Sequence, residues 1–319
     1  MKHTLENKQN MAYIKFSAEL DKQEIYANGI ELATLLGQDR DNDGNKFINW
    51  PDEKKELIHT YKNPILITDL ARLCTLDSQT RENVGALIQS PNRTVEYNNV
   101  VQGFNANDFK GVWGPSIDTL FLCHYLTNIT PPKKIFEAGC GSGFIGKYLL
   151  EQFPEMQKAT LTDISENAIA CTNYCLQDER LKTIQGDANQ ILNNSNEQFD
   201  LIVTNPPYVP RPNAISGSPY EGLDMLAGLI KISQDKLQPQ GKLISIISHL
   251  SETIIEQALK EERINAKYVA EKLVPFNVKP INNNKEWIEY LKKEHNIIQK
   301  PQSGHNYWHK IKILEITKT

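Results

Sequence analysis

The hydrophobic pattern changes period along the chain, and the change divides it in two. From about residue 100 onward, short apolar runs alternate with segments of helical spacing, the pattern of strand–helix–strand units around a parallel sheet. A run opening at Lys134 and ending in a glycine cluster reads as the first strand. Ala159-Thr-Leu-Thr-Asp163, the stretch from Leu181 to the Gly186-Asp187 pair, and Asp200-Leu-Ile-Val-Thr204 read as the next three. The fourth is continuously apolar, as a strand buried on both faces must be. Gly241–Ser248 predicts a fifth strand, Ser251–Arg263 a helix, Ala266–Val274 a sixth strand and Tyr307–Ile316 a seventh. After the glycine cluster, Ile145, Leu149 and Phe153 make one apolar stripe, which predicts a helix. The expected fold is α/β: a doubly wound, seven-stranded, mostly parallel sheet.

Residues 1–100 predict a separate, mainly helical domain. Ile25, Leu32, Leu35 and Leu36 lie at helical spacing before Gly37, Pro64 opens a second helix through Leu66, Leu70 and Leu73, and a third runs from Asp77 to about Gln89. Residues 101–319 form the second domain, preceded and entered by a hairpin at 94–113, with Val95–Val101 as one strand and Phe109–Trp113 as its partner. Ser116 then caps a helix that carries Ile117, Leu120 and Phe121 on one face. Between predicted strands six and seven lies an insertion at about 275–305, containing Pro275, Pro280, Asn282-Asn-Asn284 and a helix at Lys285–Glu294. Connections of this length are usually functional.

Composition narrows the classes. A chain of 319 residues with net charge −4 and pI near 6.0 has ample core and does not suggest a protein wrapped in nucleic acid, though a local basic groove is compatible with a mildly acidic total. Five cysteines without framework spacing fit a reducing compartment. No apolar run approaches membrane-spanning length, so a cytoplasmic protein without a membrane partner is expected. Asp39-Arg-Asp-Asn-Asp-Gly-Asn45 copies the start of a calcium loop, but its twelfth position is Trp50 rather than an acid, and it reads as a polar turn. Cys171 with Cys175, and His305 with His309, read as packing residues rather than metal ligands; no metal is expected.

The chemistry lies at the predicted strand ends. Gly139, Gly141 and Gly143 permit a sharp turn and leave no Cβ against a ligand, and the next helix opens with free N–H groups. Gly141-x-Gly143-x-x-Gly146, with Asp163 about 20 residues on, spells the nicotinamide fingerprint. Glu137-x-Gly139-x-Gly141-x-Gly143 resembles more fully the loop of the class I S-adenosylmethionine (SAM) methyltransferases. A carboxylate at Asp163 serves the ribose hydroxyls of either cofactor. The resemblance implies SAM as cofactor, with Asp187 receiving the adenine amino group and the Ala188 N–H contacting the ring.

Asn205-Pro206-Pro207-Tyr208 follows the fourth strand and decides between them. An amide or aryl amino nitrogen is a poor nucleophile, because its lone pair is delocalised. The Asn205 side-chain oxygen and the Pro206 carbonyl, aimed at its two hydrogens, localise that pair, and consecutive prolines hold the acceptors in place beforehand. Tyr208 stacks on a flat acceptor. A dehydrogenase has no use for this tetrad. With the Pro115-x-x-Asp118-Thr119 segment ahead of the glycine loop, the region Gly103–Gly241 resembles the HemK, or release-factor glutamine methyltransferase, family. This implies Asn205, Pro206 and Tyr208 as catalytic residues, Asn205 also bordering the cofactor, and a protein glutamine as acceptor, with a release-factor-like protein as partner. Relatives with the tetrad methylate the adenine amine of DNA or RNA, so a nucleic-acid partner stands as the alternative.

Overall fold

A computed structural model describes residues 13–16, 92–212, 223–276, 279–282, 284–302 and 305–318. The helices predicted between 20 and 89, and the Asp39–Asn45 loop, lie outside these residues. Two compact units divide at Gly111/Val112, and the hairpin lies in the first.

The described part of the first unit is a three-stranded sheet. β1 (Tyr13–Phe16) runs parallel to β2 (Asn92–Tyr97), which pairs antiparallel with β3 (Val100–Asn105). The single strand predicted over Val95–Val101 is therefore two. Asn98 and Asn99, at φ 47° and 66°, make a two-residue turn that the asparagine side chain tolerates. The partner predicted at Phe109–Trp113 is not a strand; β3 takes that place.

The second unit opens with α1 (Ile117–Leu126), then alternates β4 (Lys134–Ala138), α2 (Phe144–Gln152), β5 (Lys158–Asp163), α3 (Glu166–Cys175), β6 (Leu181–Gln185), α4 (Ala188–Asn194), β7 (Phe199–Thr204), α5 (Asp224–Lys236), β8 (Leu237–Ser248), α6 (Glu252–Glu261) and β9 (Ala266–Pro275). A short α7 (Lys279–Asn282), α8 (Lys285–Glu294) and β10 (Ile298–Gln302) precede β11 (His305–Thr317). Across the sheet the order is β6-β5-β4-β7-β8-β11-β9, with β11 antiparallel to both neighbours and the other pairs parallel. Trp308 of β11 faces Pro275 of β9 on one side and Ile298 of β10 on the other. β10 thus continues on β8's side of β11, beyond Ser248.

This is the doubly wound α/β fold expected. The chain leaves β4 toward β5 and β6, then returns to β7 on β4's other flank, so a crevice opens where the direction reverses. Ile135, Phe136, Leu161, Leu201, Ile202, Ile244 and Ile246 are at most 1 % exposed, as both-face burial requires. α1 exceeds its predicted one-sided face: Leu120 to Cys123 are all buried, because the helix packs on both α2 and β8. The Tyr125 hydroxyl donates to the Glu315 carboxylate of β11 at 2.6 Å and fixes its far end.

Candidate functional site

The turn after β4 is built from backbone. Gly139, Gly141 and Gly143 have φ of 70°, 55° and 77°, a region side-chain-bearing residues avoid. A Cβ on Gly143 would stand 2.7 Å from Thr172 Cγ2, and one on Gly141 3.0 Å from the Trp113 carbonyl oxygen. The Cys140 N–H donates to the Thr162 carbonyl, and the Thr172 hydroxyl to the Gly141 carbonyl at 3.2 Å. Asp163, at the end of β5, accepts the Gly141 N–H on one carboxylate oxygen and the Ser165 N–H on the other, each at 2.9 Å. Each oxygen keeps a lone pair for a further donor.

Glu137, which opens the motif, is fully buried, and neither of its carboxylate oxygens has a hydrogen-bond partner of acceptable geometry. Burial raises its pKa to about 8; the nearby Gly146 N–H offsets part of this, and the Asp163 charge adds to it. At β6's end, Asp187 caps α4 by accepting the Gln190 N–H at 2.8 Å, and Ala188 is buried as the first residue of that helix. Ile164, beside Asp163, is 74 % exposed, and Trp113, beside Gly141, 76 %; both are large apolar surfaces at the crevice that the sequence reading missed.

The tetrad after β7 is built from side chains. The Asn205 amide donates from Nδ2 to Thr119 Oγ1 at 3.0 Å, while its Oδ1 is buried and unpaired. The Tyr208 hydroxyl donates to the Asp118 carboxylate at 2.7 Å. Ser116 stands at the N-cap of α1, where its N–H bonds Thr119 Oγ1 and its hydroxyl donates to Asp118. The first turn of α1 therefore holds both ends of the tetrad. Asp118 and Thr119 are positioning residues that spacing along the chain does not reveal; the only signal was the Pro115-x-x-Asp-Thr segment. Pro206 is buried.

Behind the tetrad, the Tyr208 ring stacks on His309 at 6.0 Å, and Phe276 meets the same imidazole edge-on at 5.2 Å. His309 Nδ1 pairs with the Ser248 hydroxyl at 2.9 Å, and burial lowers its pKa to about 3, with His249 contributing. The imidazole is a neutral packing group. Burial, then the Asp118 charge and hydrogen bond, raises the Tyr208 pKa. Cys171 and Cys175 lie with sulfurs 4.0 Å apart on α3, and no cluster fit for a metal occurs among the described residues.

Residues 116–273 match the model of the methyltransferase small domain. This segment is similar to that methyltransferase family, and its fold is the Rossmann-like one. The ribosomal RNA small subunit methyltransferase C of Pasteurella multocida is 35 % identical over 75 residues, 24 % of this chain and 22 % of its own. The release factor glutamine methyltransferase of Koribacter versatilis is 30 % identical over 152 residues, 45 % of this chain and 54 % of its own. The T. thermophilus 16S rRNA N2 G1207 methyltransferase, solved with AdoMet and guanosine, is 16 % identical with a TM-score of 0.44, covering 72 % of this chain and 51 % of that one. The chain spans between about a fifth and about half the length of the curated relatives it matches.

Proposed function

We propose that this protein is an N-methyltransferase acting on a planar amide or amino nitrogen, with a protein glutamine side chain, as in a release factor, its acceptor. The observation that carries this is the Asn205 amide: Thr119 holds its nitrogen, and its oxygen is buried without a donor. An unpaired buried acceptor costs stability unless a ligand supplies the hydrogen. The –NH₂ of a glutamine amide supplies two, one for Asn205 Oδ1 and one for the Pro206 carbonyl. Tyr208, fixed through its hydroxyl to Asp118, keeps its ring parallel to a flat acceptor.

SAM, when bound, supplies a methyl on a sulfonium, electrophilic enough to need no activating base. The residues present fit it. The Gly139–Gly143 turn has no Cβ to fill the cradle, Asp163 retains lone pairs for ribose hydroxyls, and Asp187 retains an oxygen for the adenine amino group. Ile164 offers an apolar face for a flat ring. Holding the nitrogen in line is then the protein's main contribution, and alignment of this kind is worth several powers of ten in rate, about 7–11 kcal/mol at its limit. The acceptor nitrogen sheds its proton after the methyl has moved. Residues 1–100 would grip the protein partner.

A second reading has a specific support. The Pasteurella relative is an RNA enzyme by name, and the exocyclic amine of a nucleobase presents the same two hydrogens to the same acceptors. Adenine in single-stranded or looped RNA suits this best, since a paired base must first be flipped out. Transfer of labelled methyl from SAM into an extract of cells lacking the gene, followed by parallel protease and nuclease digestion, separates the two. Label lost to protease alone supports the glutamine reading; label lost to nuclease overturns it in favour of the nucleobase. No helix among the described residues is long and apolar enough to cross a membrane.

A further inference from the structure

The segment between β9 and β11 does more than return the chain to the sheet. Phe276, Ile281, Ile288, Leu291 and Ile297 form a small core of their own with Leu250, and Val209, the residue after the tetrad, packs into it. The Trp287 indole N–H donates to the Pro210 carbonyl at 2.7 Å, and the Arg211 guanidinium lies 5.4 Å from the centre of the indole. Phe276 bears on His309, which bears on Tyr208. The insertion thus holds the three residues after the tetrad directly, through apolar packing, one hydrogen bond and one cation–π contact, and reaches the Tyr208 ring through His309.

Such bracing is required at this point. Val209-Pro210-Arg211 is irregular backbone carried out from a strand end, and two prolines in the tetrad fix only the local φ angles, not the direction of the loop that follows. The first turn of α1 holds Asn205 and Tyr208 by their side chains. Nothing in that contact restrains the main chain after Tyr208. Trp287 does, and it does so with a neutral donor in a half-buried site, where a hydrogen bond keeps most of its strength.

We propose that the insertion from Phe276 to Gln302 is the acceptor-side brace of the methyltransferase site, with Trp287 its positioning residue, fixing Val209–Arg211 so that Asn205, Pro206 and Tyr208 stay aligned on the acceptor nitrogen. This rests on the methyl-transfer reading for its effect on rate, but not for the restraint itself.

The two are measured separately, on the full chain. Hydrogen exchange of the peptide spanning 205–211 is compared among the native protein, Trp287→Phe and Trp287→Ala, with the peptide spanning 139–146 as internal control. Loss of the indole donor in Trp287→Phe speeds exchange of the 205–211 peptide by about 3- to 10-fold, and Trp287→Ala by more, with the control unchanged. Labelled methyl transfer into extract of cells lacking the gene then falls in the same order at saturating SAM, Trp287→Phe retaining part of the rate, while calorimetric SAM affinity stays within about twofold. Unchanged 205–211 exchange in Trp287→Ala overturns the brace, and so do parallel rises in both peptides or joint loss of rate and SAM affinity, which mark a general structural role. If the native protein transfers no methyl while exchange responds as stated, the brace stands and the methyl-transfer reading falls.

Discussion

The glycine turn after β4 and the tetrad after β7 lie at the ends of adjacent strands, yet they are built in opposite ways. The turn is held by bonds between residues 22 and 31 apart in the chain, Gly141 with Asp163 and Gly141 with Thr172, and its shape is a matter of backbone angles. The tetrad is held by partners 86 and 90 residues away, Thr119 for Asn205 and Asp118 for Tyr208, and the loop after it by Trp287, 77 residues from Pro210. A ligand cradle made of main chain can be copied wholesale between enzymes. A pocket made of remote side chains can be retuned by changing elements that never appear in its motif. The cofactor half of such a site is therefore expected to be constant and the acceptor half adjustable.

The comparison breaks most sharply at Asn205. Asn205→Ala should cut methyl transfer by on the order of 100-fold or more, the usual cost of removing one transition-state hydrogen-bonding group, with SAM affinity by calorimetry nearly unchanged. Equal losses in both would join the two halves. Asp163→Ala tests the other side: the carboxylate's charge-assisted bonds go, and SAM binding should weaken by at least about tenfold. Normal affinity in that variant would remove Asp163 from the cofactor site. Thr119→Val sharpens the division by touching no cofactor group. It frees the Asn205 amide to rotate, and the turnover rate should fall about tenfold at an unaltered SAM dissociation constant.

Gly143→Ala asks whether the backbone half is as rigid as its angles imply. A methyl group at φ 77° and 2.7 Å from Thr172 should lower stability by about 1–2 kcal/mol in thermal melts, and a silent substitution would show the turn to be adaptable. A pH dependence concerns Glu137. Its folded pKa of about 8 exceeds the ordinary 4.5, so the ligand-free protein holds a proton there that the unfolded chain releases. Stability from this group is complete below about pH 4.5 and is lost as pH rises toward 8. Glu137→Gln should flatten the fall in melting temperature over that window; an unchanged slope would assign it to other groups.

The contrast between the halves also explains what could be read from the chain. β4 to β9 and β11 follow from short apolar or alternating runs, β7 from a continuous one, and α8 is predicted with the bounds observed, because Asn284 caps it and its apolar residues keep a helical spacing. The three glycines and Asp163 were legible because their partners are near in sequence. Asp118 and Thr119 were not assigned roles, since only the packing of α1 on α2 and β8 carries them to the tetrad. The Asn98-Asn99 turn breaks the alternation of Val95 and Tyr97 with two polar residues, which is too short an interruption to separate two strands by periodicity alone. Burial all round α1 was underestimated for a related reason: periodicity measures one face, and a helix packed on two sides has little of it.

The position of β11 has a consequence for how the molecule is made. It follows β9 in the chain but lies between β8 and β9 in the sheet. As residues are added in order, β4 to β8 can pair as each helix closes behind them, whereas β9 has no neighbour to join until β11 has arrived. His309 travels on that same strand, so the surface against which Tyr208 rests is installed late. Synthesis thus completes the backing of the tetrad only after the strand ends that carry the glycine turn and the tetrad itself are already in place.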